Sequence, residues 1–461
     1  MINKSLRNTL RSIVNQVIPF PYNFGLNFVK KYKFLQQSQY WSKDQLKQYQ
    51  WEKLKNILHH AYQNVPYYQK QWKTLGLHPN DIQCFDHMKQ LPILTKADVV
   101  KFNKELQVRN VKKYKPIINY TGGSTGTALS LLLSKSMNQW EQAFVWRYFN
   151  LGGFFPTDKV LYTRGKILSN LNNQAAPYEI NLARTECYIS AFHLTEETLK
   201  YYFEIICKFR PVIWRTYPSC IQIMTAYAKQ NNIKLPSLKA IFTSSETLTQ
   251  TQREMAEEYW GCKVFDWYGQ AERIAGIFSC EQGKYHVNDE YGYSEYLSLK
   301  DDQYELIATP FYNLAMPLIR YQTNDIVIKS DNVKLSCDCG RTLPLIERIE
   351  GRKDDFIRSE ERGNVIRSEE RGNVGTAGLA LAFKYIEGVI YSQIIQHTLD
   401  KICVKLMVND TFNEEAHQRL EKELRLRLGK KININYEFVD SIERTKAGKL
   451  RFVISHLKDI K

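Results

Sequence analysis

The sequence predicts an α/β protein with two parts. A large N-terminal domain of mostly parallel sheets and helices covers residues 1–350, and a small α+β domain covers 356–461. Three observations carry this. Between 212 and 265, the β-like runs Val212-Ile213-Trp214, Ala240-Ile241-Phe242-Thr243 and Lys263-Val264-Phe265 alternate with helical stretches at 219–230 and 249–260. A strand that returns through a helix pairs parallel to its predecessor, because the crossover needs a dozen or more residues. From 295 to 330 the pattern changes to hairpins, with Leu306-Ile307-Ala308 and Ile326-Val327-Ile328 the clearest strands. After 350 the chain reads as a compact unit: a strand over Ile402–Val408, and a helix face of Leu420, Leu424 and Leu428 closed by Gly429. A strand then alternates through Ile432, Ile434, Tyr436 and Phe438. The boundary falls at 351–355.

The N-terminal segment comes first. Residues 1–43 hold seven Lys or Arg and no acid. Leu6, Leu10, Ile13, Val14 and Val17 share one face of a possible helix, with Lys4, Arg7 and Arg11 elsewhere. It reads either as a helix packed on its own domain or as a basic amphipathic helix lying on an anionic membrane. No long apolar core precedes a small-residue cleavage site, so no signal peptide is expected. Ser42 with Gln45 makes a capping box, and Trp51, Leu54, Ile57, Leu58 and Ala61 form the apolar stripe of a helix over 42–62.

Composition narrows the class. With 461 residues, 43% hydrophobic and 24% charged, the chain is an ordinary globular one with a sizeable core, and no apolar run reaches the length of a membrane span. The formal charge of +16 favours anionic partners such as nucleotides, anionic lipids or acidic sugars without choosing among them. Nine scattered cysteines, with only Cys337 and Cys339 close together, are no secreted disulfide framework. A reducing compartment is expected: the cytoplasm, with peripheral contact at the inner face of the membrane if the basic N-terminus binds lipid. No basic stripe interleaved with aromatics indicates nucleic acid, and no G-x-S-x-G elbow indicates a serine hydrolase.

The chemistry begins at Thr121-Gly122-Gly123-Ser124-Thr125-Gly126-Thr127, after a short strand over Pro116–Ile118. Glycines free the backbone to turn its N–H groups inward and the hydroxyls add donors, which makes an anion cradle. No Gly-Lys follows, so it is not a Walker-type loop. Beyond the carboxyl ends of the predicted parallel strands, where ligands bind in such sheets, lie Thr216–Ser219, Ser244–Thr247 and Tyr268–Glu272.

In order, the chain carries TGGSTGT at 121–127, TSSET at 243–247, DWYGQAE at 266–272, MPLIRYQTND at 316–325, GRKDD at 351–355 and RTKAGKLR at 444–451. This series resembles the adenylate-forming superfamily of acyl-CoA synthetases and related ligases. Within it, KLPSLKAIFTSSETL, YHVNDEYGYSE, AMPLIRY and CDCGRTLPLIE are similar to the phenylacetate–CoA ligase-like branch, and most to the CapK-type proteins linked to bacterial capsule and surface polysaccharide.

The resemblance implies an ATP-dependent ligase whose small C-terminal domain moves between half-reactions. It implies that Thr121, Gly122, Gly123, Ser124, Thr125, Gly126 and Thr127 hold the ATP phosphates, although Ala128-Leu129 stand where a lysine is often found. Ser244, Ser245, Glu246, Thr247, Asp266, Trp267, Tyr268 and Gly269 would line the adenine, and Asp325 would bind the ribose hydroxyls. Glu272 would hold Mg²⁺, since a hard cation takes a carboxylate plus phosphate oxygens. Arg352, counted with the cofactor-binding residues, and Asp354 fall on the hinge motif. Lys449 matches the lysine that reaches the reacting carboxylate and α-phosphate, and Gly448-Lys449-Leu450-Arg451 fits that phrase better than Lys446 does.

Cys280, His286, Cys337 and Cys339 offer three thiols and an imidazole, a closed tetrahedral set for a structural Zn²⁺, as in related ligases; the other reading is four unrelated reduced side chains. A small-molecule carboxylic acid is the expected substrate. The pocket is expected among Tyr162, Thr163, Arg164, Tyr217–Ser219 and Trp267-Tyr268, with Arg164 or Arg215 available to an anionic group. The acceptor is a thiol, coenzyme A or a carrier, or else an amine. A different class also fits: a non-catalytic nucleotide-binding subunit of a membrane-associated polysaccharide assembly complex.

One oddity remains. Ile357–Val365 reads IRSEERGNV, and Ile366–Val374 repeats it letter for letter. The tandem duplication adds an expected charged surface loop and no chemistry.

Overall fold

In the computed structural model the described residues are 26–120, 129–166, 177–300, 302–329, 336–359, 373–384 and 386–457. The N-terminal amphipathic pattern, the loop at 121–127 and most of the duplicated segment lie outside them. The chain divides into two compact units. One is Met1–Pro156 with Trp267–Arg348, the other Thr157–Asp266 with Ile349–Lys461.

In the second unit, four parallel strands follow the predicted alternation. Their order across the sheet is Ala240–Ser244, Ile213–Thr216, Val160–Arg164, Glu186–Ser190, with Tyr178–Asn181 antiparallel at the edge. The chain passes from Val160–Arg164 out to Glu186–Ser190, then returns to the other side and continues through Ile213–Thr216 and Ala240–Ser244. The strand order therefore reverses beside Val160–Arg164, and the crevice outside the carboxyl ends at such a reversal is where ligands bind in open α/β sheets.

The crossover helices are Glu196–Phe209, Pro218–Gln230 and Gln250–Trp260. Each boundary has a local cause. Thr195 accepts from Thr198 N, Pro218 supplies a preset φ at the first turn, and Gly261 takes φ 65° at the C-terminus of the third helix. Trp214, Ile221, Met224, Ile241 and Val264 form the core, and Tyr391, Ile442 and Leu450 from the C-terminal segment join it. Trp214 Nε1 donates to Thr163 Oγ1 at 2.9 Å inside that core. Thr163 thus faces the helices, while Tyr162 and Arg164 alternate onto the opposite face. The pocket expected to include all three in succession ignored the two-residue period of a strand.

The C-terminal segment builds a four-stranded sheet in the order Asn433–Phe438, Lys401–Val408, Val389–Thr398, Val453–Ser455. Its central pair is antiparallel and both outer pairs are parallel. The helix Glu414–Leu428 buries Leu420, Leu424 and Leu428 against Ile394, Ile402 and Val404, as the leucine spacing predicts. At the duplication, Ile357 pairs with Val374 and Arg358 with Asn373. The first two letters of one copy meet the last two of the other, and Ile357 and Val374 are buried in the small core.

In the first unit, Ser42 makes its capping box and the helix Lys43–Asn64 buries Leu54, Ile57, Leu58 and Ala61. Trp51 sits at the margin of that stripe, edge-on to Phe85, while Leu46 and Gln50 extend the buried face. A meander of Gly292–Lys300, Gln303–Pro310 and Tyr321–Ile328 follows. A buried ion pair, Arg147 to Glu290 at 2.8 Å, is backed by Ser38 Oγ on the same carboxylate at 2.7 Å. Among the described residues no helix is long and apolar enough to cross a membrane.

Candidate functional site

The predicted residues gather in three places. Ile117–Tyr120 and Ser130–Leu133 pair antiparallel, Tyr120 opposite Ser130, and the predicted phosphate loop at 121–127 lies outside the described residues.

The strand Lys263–Gly269 carries the next group. Asp266 is buried and accepts from Thr243 Oγ1 at 2.6 Å. Two residues on, the Tyr268 hydroxyl donates to Asp325 Oδ2 at 2.7 Å, and Gln270 Nε2 donates to the Tyr268 oxygen. Asp325 is further oriented by its own N–H donating to Thr323 Oγ1 at 2.9 Å. Tyr321 donates to Glu272 Oε1 at 3.4 Å, and Asn119 Nδ2 to the Ala271 carbonyl at 2.9 Å. The run Tyr268–Glu272 is thus held beside Asp325 and the strand Ile117–Tyr120, which precedes 121–127. Gly269 has a physical reason: a Cβ there would lie 2.7 Å from the Trp267 indole nitrogen.

The third place is the reversal of strand order. Residues 444–450 form a tight turn. Gly448 N donates to the Thr445 carbonyl at 2.8 Å, Thr445 N to the Lys449 carbonyl at 2.9 Å, and Arg444 Nη1 to the Gly448 carbonyl at 2.9 Å. Gly448 has φ 75°, where a side chain is strained. This turn sits on the carboxyl ends of two central strands. Tyr217 OH donates to the Ala447 carbonyl at 3.0 Å, and a Cβ at Gly165 would lie 2.0 Å from that same carbonyl oxygen.

Glu246, which follows Ala240–Ser244, accepts from Leu450 N at 2.8 Å and Ser219 Oγ at 3.1 Å with one oxygen. With the other it accepts from Ser219 N at 2.9 Å. Burial raises its carboxyl above the usual range, opposed by these bonds and by Arg444. Ser245 has φ 76°. Lys449 is half-buried in the turn and Lys446 is exposed. Arg164 stacks over the Tyr217 ring at 4.7 Å and donates to Ser244 Oγ at 3.1 Å, while Arg215 donates to Tyr162 OH at 2.9 Å. Arg352 is exposed beside Gly351, whose φ is 120°, and Asp354 lies in the short turn Lys353–Asp355. Sequence reasoning missed Gly165 and Arg444 as neighbours of Lys449, although a glycine directly after a buried strand was a signal of close backbone approach.

Cys280, His286, Cys337 and Cys339 come together, with one donor atom from each within 4.8 Å of the others. Cys280 Sγ and Cys337 Sγ are 3.6 Å apart, far beyond a disulfide, and Cys339 Sγ is 3.4 Å from His286 Nε2. Thiolates 2.3 Å from a tetrahedral Zn²⁺ stand about 3.8 Å apart, and a thiolate and an imidazole about 3.5 Å. The residues fit such an ion. His286 Nδ1 lies 3.2 Å from the Leu343 carbonyl, which leaves Nε2 as the free lone pair, and burial lowers the imidazole to about 4, so it is neutral as a ligand must be.

The fold and the order of these sites define the adenylate-forming ligase class. The model of the CapK C-terminal domain matches residues 366–456. Over 376 residues the chain is 31% identical to protein CapK of Staphylococcus aureus, covering 81% of each. The chain belongs to the CapK family, as the motifs predicted. It is also 26% identical to the phenylacetate-coenzyme A ligase of Escherichia coli (strain K12), covering 68% of this chain and 73% of that one. Among solved structures, 2-hydroxyisobutyryl-CoA ligase in the postadenylation state with 2-HIB-AMP is similar with a TM-score of 0.67 at 16% identity, covering 91% of this chain and 93% of that one.

Proposed function

We propose that the protein activates a carboxylic acid with ATP and passes the acyl group to a thiol, coenzyme A or a carrier, in surface-polysaccharide or related metabolism of the cytoplasm. The observation that carries this reading is the Lys449 turn seated on the carboxyl ends of the central strands by Tyr217 and Glu246. In the first step a carboxylate oxygen attacks the α-phosphorus, the bond to the β-phosphate oxygen breaks, and pyrophosphate leaves. The Lys449 ammonium offsets the charge that gathers on the α-phosphoryl oxygens. No protein nucleophile is needed, because positioning and charge supply the rate.

Thr121–Thr127 hold the phosphates, Ser244–Thr247 and Asp266–Gly269 line the adenine, and Asp325 takes the ribose hydroxyls. Glu272 would hold Mg²⁺, which would supply neutralisation of the phosphate charge. Arg352 and Asp354 lie at the hinge, where Gly351 at φ 120° supplies backbone freedom. Cys280, His286, Cys337 and Cys339 would hold a Zn²⁺; with four protein ligands its part would be structural, tying the strand Tyr285–Val287 to the segment before Arg341. In the second step the thiolate attacks the acyl carbon and AMP leaves. The CapK kinship supports the polysaccharide setting.

The test is ATP–pyrophosphate exchange over a panel of aryl, fatty, hydroxy and uronic acids, with Lys449→Ala beside it. Acid-dependent exchange lost in the variant supports the reading; ATP binding with no exchange for any acid counts against it.

A further inference from the structure

The crevice at the strand-order reversal contains a buried carboxylate in the segment proposed to line the adenine by its backbone, and the side chain itself is engaged elsewhere. Glu246 lies just beyond the strand Ala240–Ser244, yet its side chain is spent on two other elements. Oε2 takes the N–H of Ser219, in the first turn of the helix Pro218–Gln230. Oε1 takes Ser219 Oγ and also the N–H of Leu450, the residue after Lys449. Arg444, at the other end of the turn, reaches Ser219 Oγ at 3.5 Å and Cys220 Sγ at 3.8 Å, and its charge bears on Glu246. Tyr217, one residue before that helix, holds Ala447 from the opposite side.

We propose that Glu246 is a positioning residue: one carboxylate fixes the Lys449 turn to the helix N-terminus that flanks the crevice, with Tyr217 as the second point of attachment. The inference rests on the proposed adenylation, in which Lys449 must be seated for the first step and only for that step. The chemistry is specific to a carboxylate. A glutamine can offer its single oxygen to Ser219 N or to Leu450 N, and its amide nitrogen is a donor facing whichever donor remains. The backbone of Ser244–Thr247 is unaffected by that exchange of one atom, so seating of the turn separates from binding of the nucleotide.

Two measurements on the full chain test this. Hydrogen–deuterium exchange needs no substrate. In Glu246→Gln the segment 444–451 should exchange at least about tenfold faster than in the wild type, while the strand Lys401–Val408 keeps its protection. Tyr217→Phe, which removes only the hydroxyl, should move the same segment the same way, and it serves if Glu246→Gln does not fold. Unchanged exchange at 444–451 in the variants overturns the proposal. In ATP–pyrophosphate exchange, Glu246→Gln should lower kcat about tenfold or more with the KM for ATP unchanged, a split that loss of nucleotide binding would not give. A raised KM at unchanged kcat overturns it. A wild type without pyrophosphate exchange sinks the adenylation reading alone, and the deuterium result still decides whether Glu246 holds the turn.

Discussion

Replacing Gly165 with Ala tests the seating of the Lys449 turn by steric exclusion. Gly165 follows the strand Val160–Arg164, and its φ lies outside the left-handed region, so its own backbone accepts an alanine. Such a change ordinarily stabilises a protein by about 0.4–1 kcal/mol. Here the new methyl carbon would stand 2.0 Å from the Ala447 oxygen and 2.8 Å from Gly448 N, both backbone atoms. An ordinary carbon–oxygen contact needs upwards of about 3.3 Å, so the turn must retreat by more than an ångström. That breaks the 3.0 Å bond from Tyr217 and the 2.8 Å bond from Leu450 to Glu246. Losing one neutral and one charge-assisted hydrogen bond costs about 3 kcal/mol, roughly a hundredfold in the seated population. The assay is ATP–pyrophosphate exchange with a responsive acid, beside a thermal melt. Exchange should fall by about two orders of magnitude, and the melting temperature should fall by several degrees, because the lost bonds outweigh the gain from replacing glycine. A variant within about threefold of the wild type would show that the seated turn is not the working one.

Three further outcomes are expected. The purified chain should carry one Zn²⁺ by mass spectrometry; a strong chelator or Cys339→Ser should remove it and lower the melting temperature, and a metal-free protein of equal stability would refute the site. Burial, and then the charge of Glu290, push the Asp289 carboxyl up to about 7. The unfolded value is about 3.9, so the folded state binds the proton more tightly and stability falls as pH rises from about 4 through about 7. The residue keeps partial exposure, which makes about 4 kcal/mol a ceiling on that loss. Asp289→Asn should flatten the slope in urea melts between about pH 4 and about pH 7. Deleting 366–374 shortens the segment between paired Arg358 and the strand Asn373-Val374, and loop-closure entropy then gains about 1 kcal/mol at most; a loss of several kcal/mol would mean that the second copy has a structural part of its own.

Much of the fold was legible because its signals are local. The β-like runs near 212 and 240 with the helix between them marked the parallel strands, the run near 263 joins the same sheet, and Ser42 with Gln45 marked a helix start that the structure places at Lys43. The Cys/His set was legible from donor type alone. What was not legible depends on distant partners. Nothing near Glu246 in the chain announces Leu450, which is 204 residues away, and nothing near Tyr217 announces Ala447, which is 230 away. Nothing local pairs Arg147 with Glu290, which packing buries together. Sequence periodicity reports which face a residue takes and is silent on what meets that face.

The pairing of Ile357-Arg358 with Asn373-Val374 also bears on how this chain can change over generations. The ladder uses the opening letters of one copy and the closing letters of the other. Any whole number of IRSEERGNV units between those ends offers the same four residues to the ladder, with Ile357 and Val374 in the small core. An in-frame tract of identical units is prone to slippage when DNA is copied, and here each gain or loss returns the same hairpin ends. Copy number at this place is therefore a quantity that lineages can vary without rebuilding the domain, and its spread among strains would record how often the tract has slipped.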